Sequence, residues 1–384
     1  MIVFMVENLK AWEFHKKLHG KLSVQSKISL KTKKRLSLAY TPGVAQAVEA
    51  IANDPKQVYT LTIKHNSVAV VTDGSAVLGL GNVGAEAALP VMEGKCIIFK
   101  EFAGIDAFPI CIKSQNSDDI VSIIKNIAPA FGGINIEDIS APRCFEIEER
   151  LQNLGIPVMH DDQHATAIVV LAALYNATKA VNKKIQTCKI VVVGSGAAGT
   201  AVIKLLAYLG LKNILAVDSK GIISIKRTAL NPSKKELIKI TNPEGINDDL
   251  KVAAKGADVL IGVSAKGIFT KEIIQSMNSH PIIFAMANPN PEVLPTDAKK
   301  WGVAIIGTGR SDYPNQINNA LVFPGFFKGL LKYRITKMDS DMKVKAANAL
   351  ANLIPSPTEN NFIPSILDKR VVPAIAESLK QFSQ

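Results

Sequence analysis

Apolar positions along this chain follow two periods. Short unbroken runs alternate with stripes recurring every three to four positions, and the two exchange places repeatedly from residue 67 onward. Unbroken runs bounded by turn residues predict buried strands, and the longer period predicts helices packed on them. In the first half the runs are Ser67 to Thr72, Cys96 to Phe99, Phe108 to Ile112 and Ile134 to Ile136. Between them Ile120, Ile123, Ile124 and Ile127 mark one helical face, which closes near Pro129 and Gly132-Gly133. Alternation resumes at Ile156, with strands predicted at Lys189 to Val193, Asn213 to Val217, Asp258 to Val263, Pro281 to Met286 and Val303 to Ile306. The tail, Lys343 to Leu353 and Pro364 to Phe382, reads as amphipathic helix that packs back across the body. Repeated strand-helix alternation predicts an α/β chain with largely parallel sheets. We divide it into an N-terminal mixed α/β domain, residues 1–160, and a Rossmann-like doubly wound domain with C-terminal helices, residues 161–384.

Composition narrows the function classes. With 47% hydrophobic and 20% charged residues in 384, the chain has enough apolar material for sizeable cores. The segment Met1 to Val6 is apolar, but no basic segment precedes it and Glu7 ends it, so no secretion signal is expected. No run of eighteen apolar residues predicts a membrane span. Cys96, Cys111, Cys144 and Cys188 form no CxxC pair, which fits a reducing compartment. A soluble, cytoplasmic protein is expected. The net charge of +12 comes from dispersed lysines, densest at Lys31 to Arg35, without the aromatic-basic interleaving that stacks bases. No nucleic-acid partner is expected, while the positive field favours a small anionic substrate.

The motif GxGxxG occurs twice, at Gly79 to Gly84 and at Gly194-Ser195-Gly196-Ala197-Ala198-Gly199. The second follows the bare strand Ile190 to Val193, opens an Ala- and Leu-rich helix, and leads to a strand ending in Asp218. That is the complete βαβ dinucleotide fingerprint: glycines admit the pyrophosphate to the helix N-terminus, and Asp218 is placed to accept from the adenosine ribose hydroxyls. Whether the cofactor is NAD or NADP stays open, because Asp218 would repel a 2′-phosphate while Lys220 could pair with it. The first loop follows the turn Thr72-Asp73-Gly74, and its helix is expected to break at Pro90 and Glu93-Gly94, so a structural turn is expected there. Between the two loops, Glu137-Asp138 and Asp161-Asp162 gather four carboxylates with no basic neighbour. Such oxygen-rich groups suit Mg²⁺ or Mn²⁺. His160 and His164 sit beside these acids in apolar flanks and read as structural rather than as zinc ligands.

Taken together, Ala39 to Ala45 (AYTPGVA), Val70 to Gly74, Leu78 to Asn82, Leu89 to Lys95 (LPVMEGK), Asn135 to Ile139, Ala141 to Glu146, Asp161 to His164, Ala287 to Pro289 and Ser311 to Asn319 resemble the malic enzyme family in its small prokaryotic-type form. The resemblance runs nearly end to end. It implies metal- and nicotinamide-dependent oxidation of L-malate, decarboxylation of bound oxaloacetate, and protonation of enolpyruvate to pyruvate. By the same resemblance Glu137, Asp138 and Asp162 are metal ligands, Lys95 is the general base with Asp161 orienting it, and Tyr40 is the proton donor to C3. Asn288 and Asn319 hold substrate carboxylates, Asn288 also lying against the cofactor, and a homodimer or higher homo-oligomer is implied. Two departures stand out: Ala165 where the family usually has Gly, which bears on packing beside the metal loop, and Ala85 where Pro is common. Malolactic conversion of malate to lactate with retained NAD is the rival reaction. A dinucleotide-binding protein without turnover is the rival from another class, and it would be expected to have lost some of Tyr40, Lys95, Glu137, Asp138 or Asp162.

Overall fold

The computed structural model describes residues 10–77 and 79–383; the apolar N-terminal segment Met1 to Val6 and Leu78, just before the first glycine loop, lie outside them. Two sheets organise the chain. The first holds β1 (Ser67–Thr72), β2 (Asp106–Cys111), β3 (Gly133–Ile136) and β4 (Val158–His160) in the order β2-β1-β3-β4, all parallel. The second holds β5 (Ile190–Val193), β6 (Ile214–Asp218), β7 (Gly221–Ile222), β8 (Val259–Gly262), β9 (Ile282–Ala285) and β10 (Ile305–Thr308) in the order β10-β9-β8-β5-β6-β7, parallel except for the antiparallel β6-β7 edge. Strands buried on both faces, such as β1 and β5, are the continuous apolar runs of the sequence.

One predicted strand is not a strand. Cys96 to Phe99 lies inside the helix Ala85–Ala103, which runs unbroken through Pro90 and Gly94. Its buried residues, Ala85, Ala88, Met92, Cys96, Phe99 and Ala103, recur at helical spacing, and Pro90 sits on the exposed face. A four-residue apolar run is ambiguous between strand and buried helix, and packing on β1 decided it. Gly104, with φ +66°, ends the helix in the left-handed conformation.

The helix Asp161–Ala180 joins the sheets and is buried almost all round, with Ala165 and Ala167 to Leu174 in the main core. The same core takes in Val68 and Val70 of β1, Val192 of β5 and the tail helices Phe323–Lys332, Ser340–Ala351 and Val371–Ser378. Phe99 meets Phe323 and Phe327 with ring centroids 4.7 and 5.3 Å apart, so the C-terminal helices grip the N-terminal half. All four cysteines are free; three are buried and Cys111 is half-buried.

Candidate active site and dinucleotide groove

Parallel register places the acids. Val71 of β1 pairs with Ile136 of β3, and Ile136 with His160 of β4, so Asp73, Glu137-Asp138 and Asp161-Asp162 all leave the sheet at one carboxyl edge. Ligand sites of parallel α/β sheets form there. Asp138 turns left-handed at φ +51°, a conformation that costs roughly 1–2 kcal/mol for most residues and less for Asp. Its N–H donates to Asp162 Oδ2 at 3.0 Å. Carboxylate oxygens of Glu137, Asp138 and Asp162 then lie within 4.8 Å of one another.

Lys95, from the helix Ala85–Ala103, projects into this cluster. Its Nζ is 2.9 Å from Glu137 Oε1, is ion-paired to Asp161, and sits 4.6 Å from the ring centroid of Phe323. Burial favours the neutral amine, but Asp161, Glu137 and Asp162 outweigh it and hold Lys95 firmly protonated. The acids are raised in turn. Burial, then Asp162, pushes the Asp138 carboxyl up to about 8, and burial raises Glu137 and Asp161 despite Lys95. Asp138 Oδ2 and Asp161 Oδ1 are buried with no hydrogen-bond partner. Crowded, desolvated oxygens with unused lone pairs fit a hard divalent cation. No histidine belongs to this group among the described residues.

Glu148, on the helix Arg143–Leu151, was not singled out from the sequence. Its carboxylate accepts from the His160 N–H at 2.8 Å and from Gln163 Nε2 at 3.1 Å, and pairs with His164 Nε2. Burial opposes ionisation, yet His164 and His160 hold the carboxyl down to about 2. Glu148 thereby fixes the strand end from which Asp161 and Asp162 emerge. Arg143, on the same helix, pairs with Asp73 at 2.9 Å and donates to Ser75 Oγ, tying the β1 exit to the β3 exit. Such long-range anchors carry no local motif.

The cofactor-type loop follows β5. Gly194 has φ +110°, and a Cβ on Gly199 would lie 1.7 Å from the Gly194 carbonyl oxygen, so the turn and the close helix approach both require glycine. A Cβ on Gly196 would meet nothing, because that position faces the open groove. A cleft of about 460 Å³ is lined by Gly196, Ala197, Ala198 and Gly199 together with Asp138, Asp162, Asn288 and Asn319. Ser195 presents its carbonyl to Thr200 Oγ1. Glu292, also unforeseen, is buried and accepts from Ser264 N–H and Ala287 N–H, cross-bracing the loops after β8 and β9. The first glycine loop packs against this wall: a Cβ on Gly79 would lie 2.5 Å from the Asn288 carbonyl oxygen.

Two predicted residues have different surroundings from these. Tyr40, just past the helix Lys33–Ala39, is 68% exposed and does not line the cleft. Asp218, at the end of β6, is already paired with Arg227 and Lys234.

A family model described as the malic enzyme N-terminal domain matches residues 19–152, and one described as the malic enzyme NAD binding domain matches residues 164–380. The bifunctional malic/malolactic enzyme of Bacillus subtilis is 51% identical, over 96% of this chain and 91% of that protein. The NADP-dependent malic enzyme of Rhizobium meliloti is 46% identical, over 90% of this chain and 46% of that longer protein. The crystal structure of an NAD-dependent malic enzyme from Thermotoga maritima superimposes with a TM-score of 0.94 at 48% identity, over 97% of this chain and 99% of that one. With both domain models matched in order and relatives this similar over nearly its whole length, the chain belongs to the malic enzyme family.

Proposed function

We propose that this chain oxidatively decarboxylates L-malate to pyruvate and CO₂ with reduction of NAD(P)⁺, dependent on Mg²⁺ or Mn²⁺, and also decarboxylates oxaloacetate. The observation that carries the reading is one cleft lined by both the glycine loop and Asp138 and Asp162, two members of a three-carboxylate cluster whose third, Glu137, is ion-paired to Lys95. Bound there, a nicotinamide dinucleotide supplies a hydride acceptor, and a divalent cation held by Glu137, Asp138 and Asp162 supplies Lewis acidity toward the 2-hydroxyl and the ketone.

The chain's own groups do the rest. Lys95 takes the proton of the malate 2-hydroxyl as the neutral amine, which a divalent cation held by Glu137, Asp138 and Asp162 would favour by offsetting the acids that otherwise keep it protonated, and Asp161 keeps the amine aimed. Asn288 and Asn319 hold substrate carboxylates as neutral amides, adding no charge to the acid cluster. Tyr40, which lies outside the cleft within one chain, is assigned the proton to C3 of enolpyruvate on the family resemblance alone. The division at residues 160 and 161 puts Lys95, Glu137 and Asp138 in the N-terminal part and Asp161, Asp162 and the glycine loop in the dinucleotide-binding part, so the site is built from both.

A homodimer is the assembly we infer. The helices Lys33–Ala39 and Val44–Asn53 bury none of their residues within one chain, and they expose Leu36, Leu38, Val44 and Val48 beside Tyr40. Among the described residues no helix is long and apolar enough to cross a membrane; a soluble, cytoplasmic location is proposed with the rest.

The test is a steady-state assay with L-malate and Mn²⁺ that quantifies reduced cofactor and pyruvate together. Equal yields abolished by a chelator support the reading. The malolactic alternative, favoured by the name of the Bacillus subtilis relative, predicts lactate without net cofactor reduction. No turnover with either cofactor would leave the dinucleotide-binding alternative.

A further inference from the structure

Asp218 ends β6, where a βαβ fold reads the adenosine ribose. A lone carboxylate there would accept from the 2′- and 3′-hydroxyls and repel a 2′-phosphate. This carboxylate is not alone. Arg227 engages it with both terminal nitrogens, Nη1 to Oδ1 and Nη2 to Oδ2, each at 2.9 Å. Lys234 Nζ reaches Oδ2 at 2.6 Å, and the Lys220 N–H reaches Oδ1 at 2.8 Å. An ionised carboxylate offers about four lone-pair sites, and four donors already occupy them. Ribose hydroxyls therefore find no free acceptor on Asp218.

The charge balance points the same way. One carboxylate faces two side-chain cations, and the exposed Lys220 side chain stands beside them. Arg227 is also braced by the carbonyl oxygens of Gly221 and Ile222 at 3.3 Å, which fixes its fork at the β6-β7 turn. Lys234 is held in the first turn of the helix Pro232–Ile238, capped by Asn231. Both cations keep N–H donors beyond those spent on Asp218.

We propose that this chain selects the 2′-phosphorylated dinucleotide, NADP(H), with Arg227 and Lys234 reading the 2′-phosphate and Asp218 acting as the residue that positions them. The inference rests on the dinucleotide part of the proposed function, not on malate turnover. Family membership leaves the choice open, since relatives named for either cofactor match at similar identity.

Fluorescence titration of the purified full chain with NADPH and NADH, without malate or metal, tests it. NADPH is expected to bind more tightly by about tenfold to a hundredfold, as hydrogen bonds between charged partners give, and to weaken more steeply with added salt. Adenosine 2′,5′-bisphosphate should displace NADPH where 5′-AMP does not. Arg227→Gln and Lys234→Gln should each weaken NADPH about tenfold while leaving NADH unchanged or tighter, because Asp218 is released to the ribose; Arg227→Lys should recover part of the loss. Asp218→Asn should leave NADH binding unchanged, which a residue contacting the ribose would not allow. Equal or tighter NADH binding by the wild-type chain, or equal loss of both cofactors in Arg227→Gln, overturns the proposal. Failure to bind either cofactor overturns it together with the dinucleotide reading, whereas NADPH binding without malate turnover overturns only the reaction.

Discussion

Replacing Glu148 with Gln should destabilise the protein at neutral pH, and the effect should fade in acid as the carboxylate is protonated. Glu148 is 7% exposed, and its ionised carboxylate satisfies the His160 N–H, Gln163 Nε2 and His164. Its carboxyl falls from the ordinary 4.5 to about 2, a preference for the ionised form worth about 3 kcal/mol at 1.36 kcal/mol per unit. Because the folded value lies below the unfolded one, the stabilisation is complete above about pH 4.5 and fades as pH falls through about 2. Glutamine keeps the shape but loses the charge; because burial lowers His164 and leaves it largely neutral at pH 7, the variant should be less stable there by less than the full 3 kcal/mol, on the order of 1–2 kcal/mol from the hydrogen bonds to an ionised carboxylate. Urea unfolding followed by circular dichroism, repeated from pH 7 down toward pH 3, measures the gap directly. Equal stability at pH 7, or a gap that fails to narrow as pH falls below about 4.5, would refute the account of Glu148 as an ionised anchor.

Lys95→Ala should lower malate oxidation by about 10² to 10⁴, the span of general acid-base contributions, while cofactor binding persists; near wild-type turnover would remove Lys95 from the chemistry. Burial and Asp162 hold the Asp138 carboxyl up to about 8, so Mn²⁺ binding should release protons and tighten as pH rises toward 8. Calorimetry in buffers of different ionisation enthalpy reads that release, and pH-independent Mn²⁺ affinity would count against Asp138 as a ligand. Tyr40→Phe should slow solvent deuterium incorporation into the pyruvate methyl group more than it slows hydride transfer. Parallel losses in both would assign Tyr40 a structural part instead.

The residue pattern alone determined most of the strand order in chain, the second glycine loop and the acids at 137, 138, 161 and 162. Those features are local: a period, a turn or a short motif specifies each without reference to distant residues. The run Cys96 to Phe99 marks where local reading ends, since strand and buried helix share that pattern and only packing on β1 and against Phe323 and Phe327 separates them. Tertiary structure alone decided that Asp138, Asp162 and the glycine loop line one cleft and that a separate helix's Lys95 pairs with their neighbours Glu137 and Asp161, because parallel register sets side by side what the chain holds far apart. It also decided that Glu148 secures the acid-bearing strand end and that Arg227 and Lys234 fill the oxygens of Asp218. Burial and charge pairing act through space, so the same Asp218 that reads in sequence as a ribose acceptor is, in the fold, the counter-ion of two cations.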